Sequence, residues 1–237
     1  NPYRGCEHGC IYCYARPTHE WLGFSSGLDF ETNILVKEDA PALLDKALAA
    51  RSWKPQGIFF SGITDCYQPI ERQFELTRGC LSVMAKYHNP VSIVTKSALV
   101  TRDCDLLAQL ARDQAAFVCL SVTTLDAELA RRLEPRASTP ARRLAAISVL
   151  AEAGIPTGVM VAPIIPGLTE HEIPAILNAA AQAGAQFAGH TIVRLPYSVS
   201  DLFTQWLAIH YPDRQNKILN RIRSMWQGKL KDARYKS

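Results

Sequence analysis

The sequence predicts an α/β protein in which repeated β–α units build a parallel sheet. Three observations carry that reading. Short apolar runs alternate with helical patterns at a near-regular pitch. The helical stretches carry caps and breakers in the right places. Polar residues gather just past successive apolar runs, at the strand ends where parallel sheets and barrels keep their chemistry.

Taken in order, helical periodicity over residues 40–50 leads to a strand at 57–61, and helix 73–87 leads to a strand at 91–95. Helix 103–112 leads to 117–121, helix 140–153 to 158–162, and helix 170–183 to 191–195. Thr139-Pro140 supplies an N-cap and an N1 proline. Leu144, Ile147 and Leu150 with Ala151 form one apolar face, and Gly154 stops that helix. Thr169 with Glu172 reads as a capping box for the next helix. Beyond Pro196 the pattern changes to two helices, 201–210 and 216–227. We therefore expect a barrel unit over 1–196 with a helical extension over 197–237 packed on it as one domain. A strand normally leads into a loop like the one at Asn1, so a sixth strand is expected ahead of the chain. No repeat or low-complexity segment interrupts the pattern.

The chain has 237 residues, 48% of them hydrophobic and 20% charged, enough for a full core. No apolar run approaches a membrane span, and no secretory leader precedes the first motif. Seven mostly scattered cysteines suit a reducing cytoplasm. Charge is uneven. From Arg214 to Ser237 eight Lys or Arg, among them Lys217, Arg234 and Lys236, face only Asp232, so this stretch is +7 and the remainder −3. Trp226 and Tyr235 are interleaved with it. Such a segment could track a phosphate backbone or simply be a solvated terminal helix.

The run Asn1-Pro2-Tyr3-Arg4-Gly5-Cys6-Glu7-His8-Gly9-Cys10-Ile11-Tyr12-Cys13-Tyr14 has the spacing Cys-x3-Cys-x2-Cys. Three thiolates on one loop can hold three irons of a [4Fe–4S] cube and leave the fourth open to a ligand. A zinc site would need a fourth ligand, and His8 lies too close to its neighbours to complete a tetrahedron easily. A disulfide scaffold does not suit an odd cysteine count in a chain of this length. Cys80, Cys104 and Cys119 fall on helical or strand patterns and read as small core hydrophobes.

This cysteine spacing, with the aromatic Tyr12 before the last thiol, resembles the signature of the radical SAM superfamily. Five strands plus one ahead of Asn1 match that superfamily's partial (β/α)6 barrel. The resemblance implies that Cys6, Cys10 and Cys13 bind the cluster and that S-adenosylmethionine chelates its open iron. It further implies that one-electron reduction, by a flavodoxin or ferredoxin, releases a 5′-deoxyadenosyl radical. Within the superfamily, Asn1-Pro2-Tyr3, Cys13-Tyr14, Val94-Thr95-Lys96, Glu134-Pro135, helix 142–154 and Gly158-Val159-Met160-Val161-Ala162-Pro163-Ile164 resemble spore photoproduct lyase. That likeness covers most of residues 1–165.

Strand ends supply the site. Ser61-Gly62-Ile63-Thr64-Asp65-Cys66-Tyr67 offers a hydroxyl and a carboxylate suited to an ammonium group, and Lys96 offers a cation for the cofactor's carboxylate. Carried over by position, Thr64, Asp65, Lys96 and Ser121 would contact S-adenosylmethionine, with Tyr12 or Tyr14 beside its adenosine. The fourth covered strand ends in Ala162-Pro163, a further candidate contact, and Arg136 could pair with the cofactor's carboxylate or lie on a solvated helix face. The lyase's hydrogen-donor cysteine aligns with Gly62, which turns attention to Cys66 and then Tyr67 as donors. Arg131, Arg132, Arg136, Arg142 and Arg143 surround a turn beside Ser121 and could hold a phosphate or form a solvated face. His190 reads as a structural histidine or a proton shuttle. The expected function is a monomeric radical enzyme acting on nucleic acid, with damaged DNA foremost. The alternatives are a radical enzyme for a peptide or small metabolite, and an iron–sulfur module without radical turnover.

Overall fold

The structure, a computed structural model, describes residues 1–231. Asp232, Arg234, Tyr235 and Lys236 of the basic segment lie outside the described residues. Strand β1 (Tyr3–Arg4) runs into the cysteine loop and a 3-10 turn (Arg16–Leu22). The chain returns through α1 (Asp29–Thr32) to β2 (Leu35–Val36), which pairs antiparallel with β1. Then come α2 (Ala40–Leu48), β3 (Ile58–Phe59), α3 (Glu71–Phe74), α4 (Leu76–Lys86), β4 (Val91–Thr95), α5 (Cys104–Arg112) and β5 (Ala116–Ser121). The remainder is α6 (Ala127–Leu133), α7 (Pro140–Glu152), β6 (Thr157–Ile164), α8 (Ile173–Gln182), β7 (Phe187–Ile192), α9 (Val199–His210) and α10 (Gln215–Met225).

Strands β3 to β7 form one parallel sheet in sequence order, a curled five-strand half-barrel with the helices along its outside. Register explains the division of labour between its faces. Val91 and Ile93 of β4, Val118 and Leu120 of β5, and Val159 and Val161 of β6 point outward and are buried against Leu81, Leu107, Ile147 and Ile176 of the helices. Each such side chain contributes about 1.5–3 kcal/mol. Their neighbours Val94, Ser121 and Met160 turn inward, as alternation demands. Gly158 lets β6 and β7 close up there, because a Cβ on it would lie 2.4 Å from the Phe187 ring.

A second apolar core joins α9 and α10 to the barrel mouth. Phe203, Trp206, Ile218 and Ile222 pack with Leu129 and Leu133 of α6, with Val193, and with Tyr12 of the cysteine loop. Trp206 Nε1 donates to Arg132 O at 3.1 Å, and Ile11 N to Leu133 O at 3.0 Å, so the extension, α6 and the cysteine loop are tied together.

Several boundaries differ from the pattern. The helix expected over 73–87 is broken at Glu75, whose φ of 49° lies in the left-handed region. The last strand is Phe187–Ile192 rather than 191–195, because Ala183-Gly184 ends α8 early and Val193 already hydrogen-bonds to Ile164 O at 2.9 Å. The capping box at Thr169 does not form. Thr169 Oγ1 turns back on its own loop and accepts from Ile165 N at 2.9 Å, while Glu172 finds a tertiary donor in Leu125 N at 2.7 Å. The Thr139 cap is present, accepting from Arg142 N.

Candidate active site

One cavity of about 470 Å³ opens at the carboxyl ends of the strands. The cysteine loop forms one side of it, with Cys6, Cys10 and Cys13 all on its wall. The loop's shape comes from buried donors. Arg16, 1% exposed, donates to Cys10 O at 2.9 Å, to Gly9 O and Ser26 O at 3.1 Å, and to Gly27 O at 2.9 Å, and it pairs with Glu31. Gln68 braces the other flank, accepting from Glu7 N at 2.9 Å and donating to Gly5 O at 3.1 Å. Gly9 has a φ of +68°, which favours glycine, and a Cβ there would sit 2.3 Å from Arg136 Nη2 and 2.6 Å from Glu31 Oε2, so that ion pair would have to shift.

Electrostatics differ among the three thiols. Burial pushes Cys6 up, but the adjoining His8 reverses the sign and leaves it below the ordinary thiol value. Cys10 and Cys13 stay raised, by burial first and then by Glu134 and Cys6 respectively. His8 is 2% exposed, and its Nδ1 lies 3.4 Å from Asp65 Oδ2. Burial works against its charge, yet Cys6 and Asp65 raise its pKa to about 10. Among the described residues no three His, Cys, Asp or Glu side chains converge tightly enough for a single ion. Three thiols around one end of the cavity instead fit a cube, in which each iron takes one thiolate.

Thr64, Asp65, Lys96, Ser121 and Ala162 also line the cavity, together with Tyr12 and Tyr14 of the loop itself. Their roles separate on inspection. Asp65 Oδ1 accepts from Thr95 Oγ1 at 2.7 Å and Oδ2 accepts from Lys96 N at 2.8 Å, so its carboxylate binds β4 to the cysteine loop. Burial would raise its pKa, but His8 and these donors hold it down at about 2. The Lys96 ammonium lies 5.8 Å from the centroid of the Tyr12 ring and pairs with no carboxylate among the described residues. Tyr14, half exposed, donates to Gly62 O at 2.7 Å.

Three expected residues are elsewhere. Cys66 is 0% exposed in the outer core, with Sγ 3.5 Å from Ser61 Oγ, and does not line the cavity. Tyr67 is buried beside it and donates to Asp103 Oδ2 at 3.0 Å. Both turn into the barrel wall, which corrects their reading as hydrogen donors facing the substrate. Arg136 sits behind the cysteine loop, paired with Glu31 and donating to Glu7 O, and so is not placed at the cavity for a cofactor carboxylate. Of the remaining arginines, Arg131 and Arg132 pair with Glu128 on the surface of α6. His190 is exposed on the outer face of β7.

Arg143 is the opposite of a solvated residue. At 1% exposed it pairs with Glu134 and donates to Ser121 O at 2.9 Å. Glu134 also accepts from Tyr12 Oη and from Thr123 Oγ1 at 2.7 Å, fixing the tyrosine against the cavity. Sequence reasoning missed this buried carboxylate, and it missed Arg16, Gln68 and Arg194. Arg194 fell inside the expected strand 191–195, and only the earlier strand end at Ile192 brings it past the strand to the cavity.

A curled parallel half-barrel with three thiols and a lone ammonium at its mouth defines a cofactor-dependent class of enzymes. Residues 1–180 match the model of the Radical SAM superfamily, and the chain belongs to that superfamily. An uncharacterized protein of Mycobacterium tuberculosis (strain ATCC 25618 / H37Rv) is 37% identical over 231 residues, covering 96% of this chain and 66% of its own length. Another from Methanocaldococcus jannaschii is 34% identical over 173 residues, 73% of this chain and 62% of that protein. The chain thus spans just under two thirds of the curated relatives it matches. Among solved structures, spore photoproduct lyase complexed with dinucleoside spore photoproduct superposes with a TM-score of 0.63 at 20% identity, over 89% of this chain and 59% of that one. The fold likeness extends to anSMEcpe with bound AdoMet, at a TM-score of 0.53 and 12% identity over 96% of this chain and 58% of that one. The cofactors are those of the superfamily, a [4Fe–4S] cluster and S-adenosylmethionine.

Proposed function

We propose that Cys6, Cys10 and Cys13 each ligate one iron of the cluster and that S-adenosylmethionine fills the cavity beside it. The observation that carries this is the single cavity shared by the three thiols and Lys96. With both groups bound, the cluster would supply an electron for reductive cleavage of S-adenosylmethionine, and the cofactor would supply the hydrogen-abstracting chemistry. Lys96, on the cavity wall beside Tyr12, would hold the cofactor's carboxylate. Asp65 keeps Lys96 and His8 in place, while Tyr12, clamped by Glu134, and Tyr14 flank the adenosine. Thr64, Ser121 and Ala162 complete the wall.

The substrate proposed is a nucleic acid, damaged DNA foremost, on a monomeric cytoplasmic enzyme reduced by a flavodoxin or ferredoxin. Support comes from the barrel's likeness to spore photoproduct lyase and from the basic C-terminal stretch. One observation favours a second reading, a peptide or small metabolite. Much of that basic charge is already engaged, with Arg221 paired to Glu170, Lys231 to Asp201 at 3.1 Å, and Arg214 donating to Gly167 O at 2.7 Å. No helix among the described residues is long and apolar enough to cross a membrane.

The test is anaerobic reconstitution followed by reduction with S-adenosylmethionine and ultraviolet-irradiated oligonucleotide. About four irons per chain are expected, with 5′-deoxyadenosine formed and the lesion lost. Iron without deoxyadenosine would leave only a cluster-binding module. Deoxyadenosine without any change in the oligonucleotide would pass the substrate to the second reading.

A further inference from the structure

His8 stands in the chain between Cys6 and Cys10, is 2% exposed and lines the cavity. Its backbone is pinned on both sides. Cys6 O accepts from Gly9 N at 3.4 Å, closing a turn whose third residue is His8, and His8 O accepts from Arg136 N at 3.2 Å. Just before it, Glu7 N donates to Gln68 Oε1 at 2.9 Å, and the Glu7 carboxylate accepts from Ile70 N. The imidazole is therefore carried on a fixed mount and shielded from water.

That ring meets two acceptors. Nδ1 lies 3.4 Å from Asp65 Oδ2, and the side chain also hydrogen-bonds to Cys6. A carboxylate and an iron-bound thiolate offer only lone pairs, so the ring's part toward each is that of a donor. Asp65 is committed to this arrangement. Its Oδ1 accepts from Tyr67 N at 2.9 Å and from Thr95 Oγ1 at 2.7 Å, and its Oδ2 accepts from Lys96 N at 2.8 Å. With His8 added, the roughly four acceptor positions of a carboxylate are filled. None is left for the ammonium group that its sequence position suggested.

We propose that His8, held by Asp65, is a positioning residue that donates an N–H to the Cys6 sulfur and thereby raises the reduction potential of the cluster. This rests on the reading of Cys6, Cys10 and Cys13 as the cluster's ligands. A reduced cube carries one more negative charge than an oxidised one, and a hydrogen bond to a ligand sulfur favours the more charged form. In a buried turn such a donor acts more strongly than it would in water. Because Asp65 also accepts from the backbone of Lys96, one carboxylate joins the end of β4 to a ligand of the iron.

A redox titration followed by electron paramagnetic resonance, on reconstituted protein without S-adenosylmethionine and with iron counted in every sample, tests it. In His8→Leu the equilibrium constant for reduction should fall about 10-fold, the differential weight of one charge-assisted hydrogen bond. For a one-electron couple that is a potential lower by about 59 mV. His8→Gln keeps an N–H and should recover most of the shift. Protein carrying isotopically labelled histidine should show, by electron spin-echo modulation, a coupling between the reduced cluster and a histidine nitrogen that is absent from His8→Leu. A histidine that only braced the turn would produce neither signal. If His8→Leu holds its iron and keeps the wild-type potential, or the wild type shows no nitrogen coupling, this assignment alone is overturned. If His8→Leu loses its iron, the wild-type coupling carries the assignment and its absence overturns it. If the wild type gathers no cluster, the reading of the three cysteines falls and the assignment with it.

Discussion

Lys96 reaches the cavity on a strand end held by Asp65, and replacing it removes the cation without touching the cysteine loop. Lys96→Ala should raise the dissociation constant for S-adenosylmethionine by about 10- to 100-fold, the weight of a hydrogen bond to a charged group. Iron content should stay near four per chain. Equilibrium dialysis of the reconstituted variant checks both. Glu134 gives a pH prediction. Burial pushes its carboxyl up, but Arg143 and Lys96 outweigh that and hold it at about 2. This is below the unfolded value of about 4.3. The stability it contributes is present above about pH 4.3 and is lost as pH falls toward 2. Urea midpoints should drop steeply between about pH 4.3 and 2 in the wild type and less in Glu134→Gln, which at pH 7 should cost about 3–5 kcal/mol as a broken buried pair. Equal slopes would show that Glu134 does not titrate in this window. The cysteine triplet was readable because all its information lies within eight residues of sequence. Glu134 was not, because its burial depends on Arg143 in the next helix. Cys66 was misread because a loop's place at a strand end does not say which way each side chain turns. Cys66→Ala should accordingly leave the product distribution unchanged and cost only about 1 kcal/mol in denaturant. An altered product mixture would restore it as a donor.

Elements whose signals are local came through best. β4 matches its expected span of 91–95, and α7 starts at its proline behind a working Thr139 cap. Where a polar side chain has a tertiary alternative, local rules lose, as Glu172 shows by bonding to Thr124 and Leu125. The short helices α1 and α6 and the β1–β2 pair were invisible, since four to seven residues hold too little periodicity for a pattern. Gly9→Ala combines a left-handed backbone with a clash against Arg136 and Glu31. Reconstituted Gly9→Ala should hold less than half the iron of the wild type, by colorimetric iron and sulfide assay, while far-ultraviolet circular dichroism stays native. Full iron occupancy would mean the loop can give way.

At the scale of the whole chain, one cavity is lined from the cysteine loop and from every strand end of the half-barrel, so a cofactor filling it would touch most of its parts at once. S-adenosylmethionine at 100 times its dissociation constant should add about 2.7 kcal/mol to the stability of the reconstituted protein. The resulting rise in melting temperature should be much smaller in Lys96→Ala at the same ligand concentration. The parallel architecture was legible because repetition averages out local errors. The seating of α9 and α10 against the cysteine loop was legible only as two helices, because nothing in an amphipathic pattern names its partner.

Arg16 has a consequence for how the protein acquires its metal. A guanidinium that already gathers four backbone carbonyls of the cysteine loop and its flank makes the loop a standing cradle. Metal-dependent small domains instead stay unfolded until loaded. Freshly translated polypeptide should therefore present an ordered docking cleft to the cell's cluster-delivery machinery, and chelation should empty it reversibly. Trypsin should leave the Arg16 peptide bond uncut in chelated protein as in loaded protein, because Pro17 follows it and the arginine is enclosed. Backbone amides of residues 9–11 should exchange slowly with deuterium in both. Rapid exchange in the chelated sample alone would mean that metal, and not arginine, shapes the cradle.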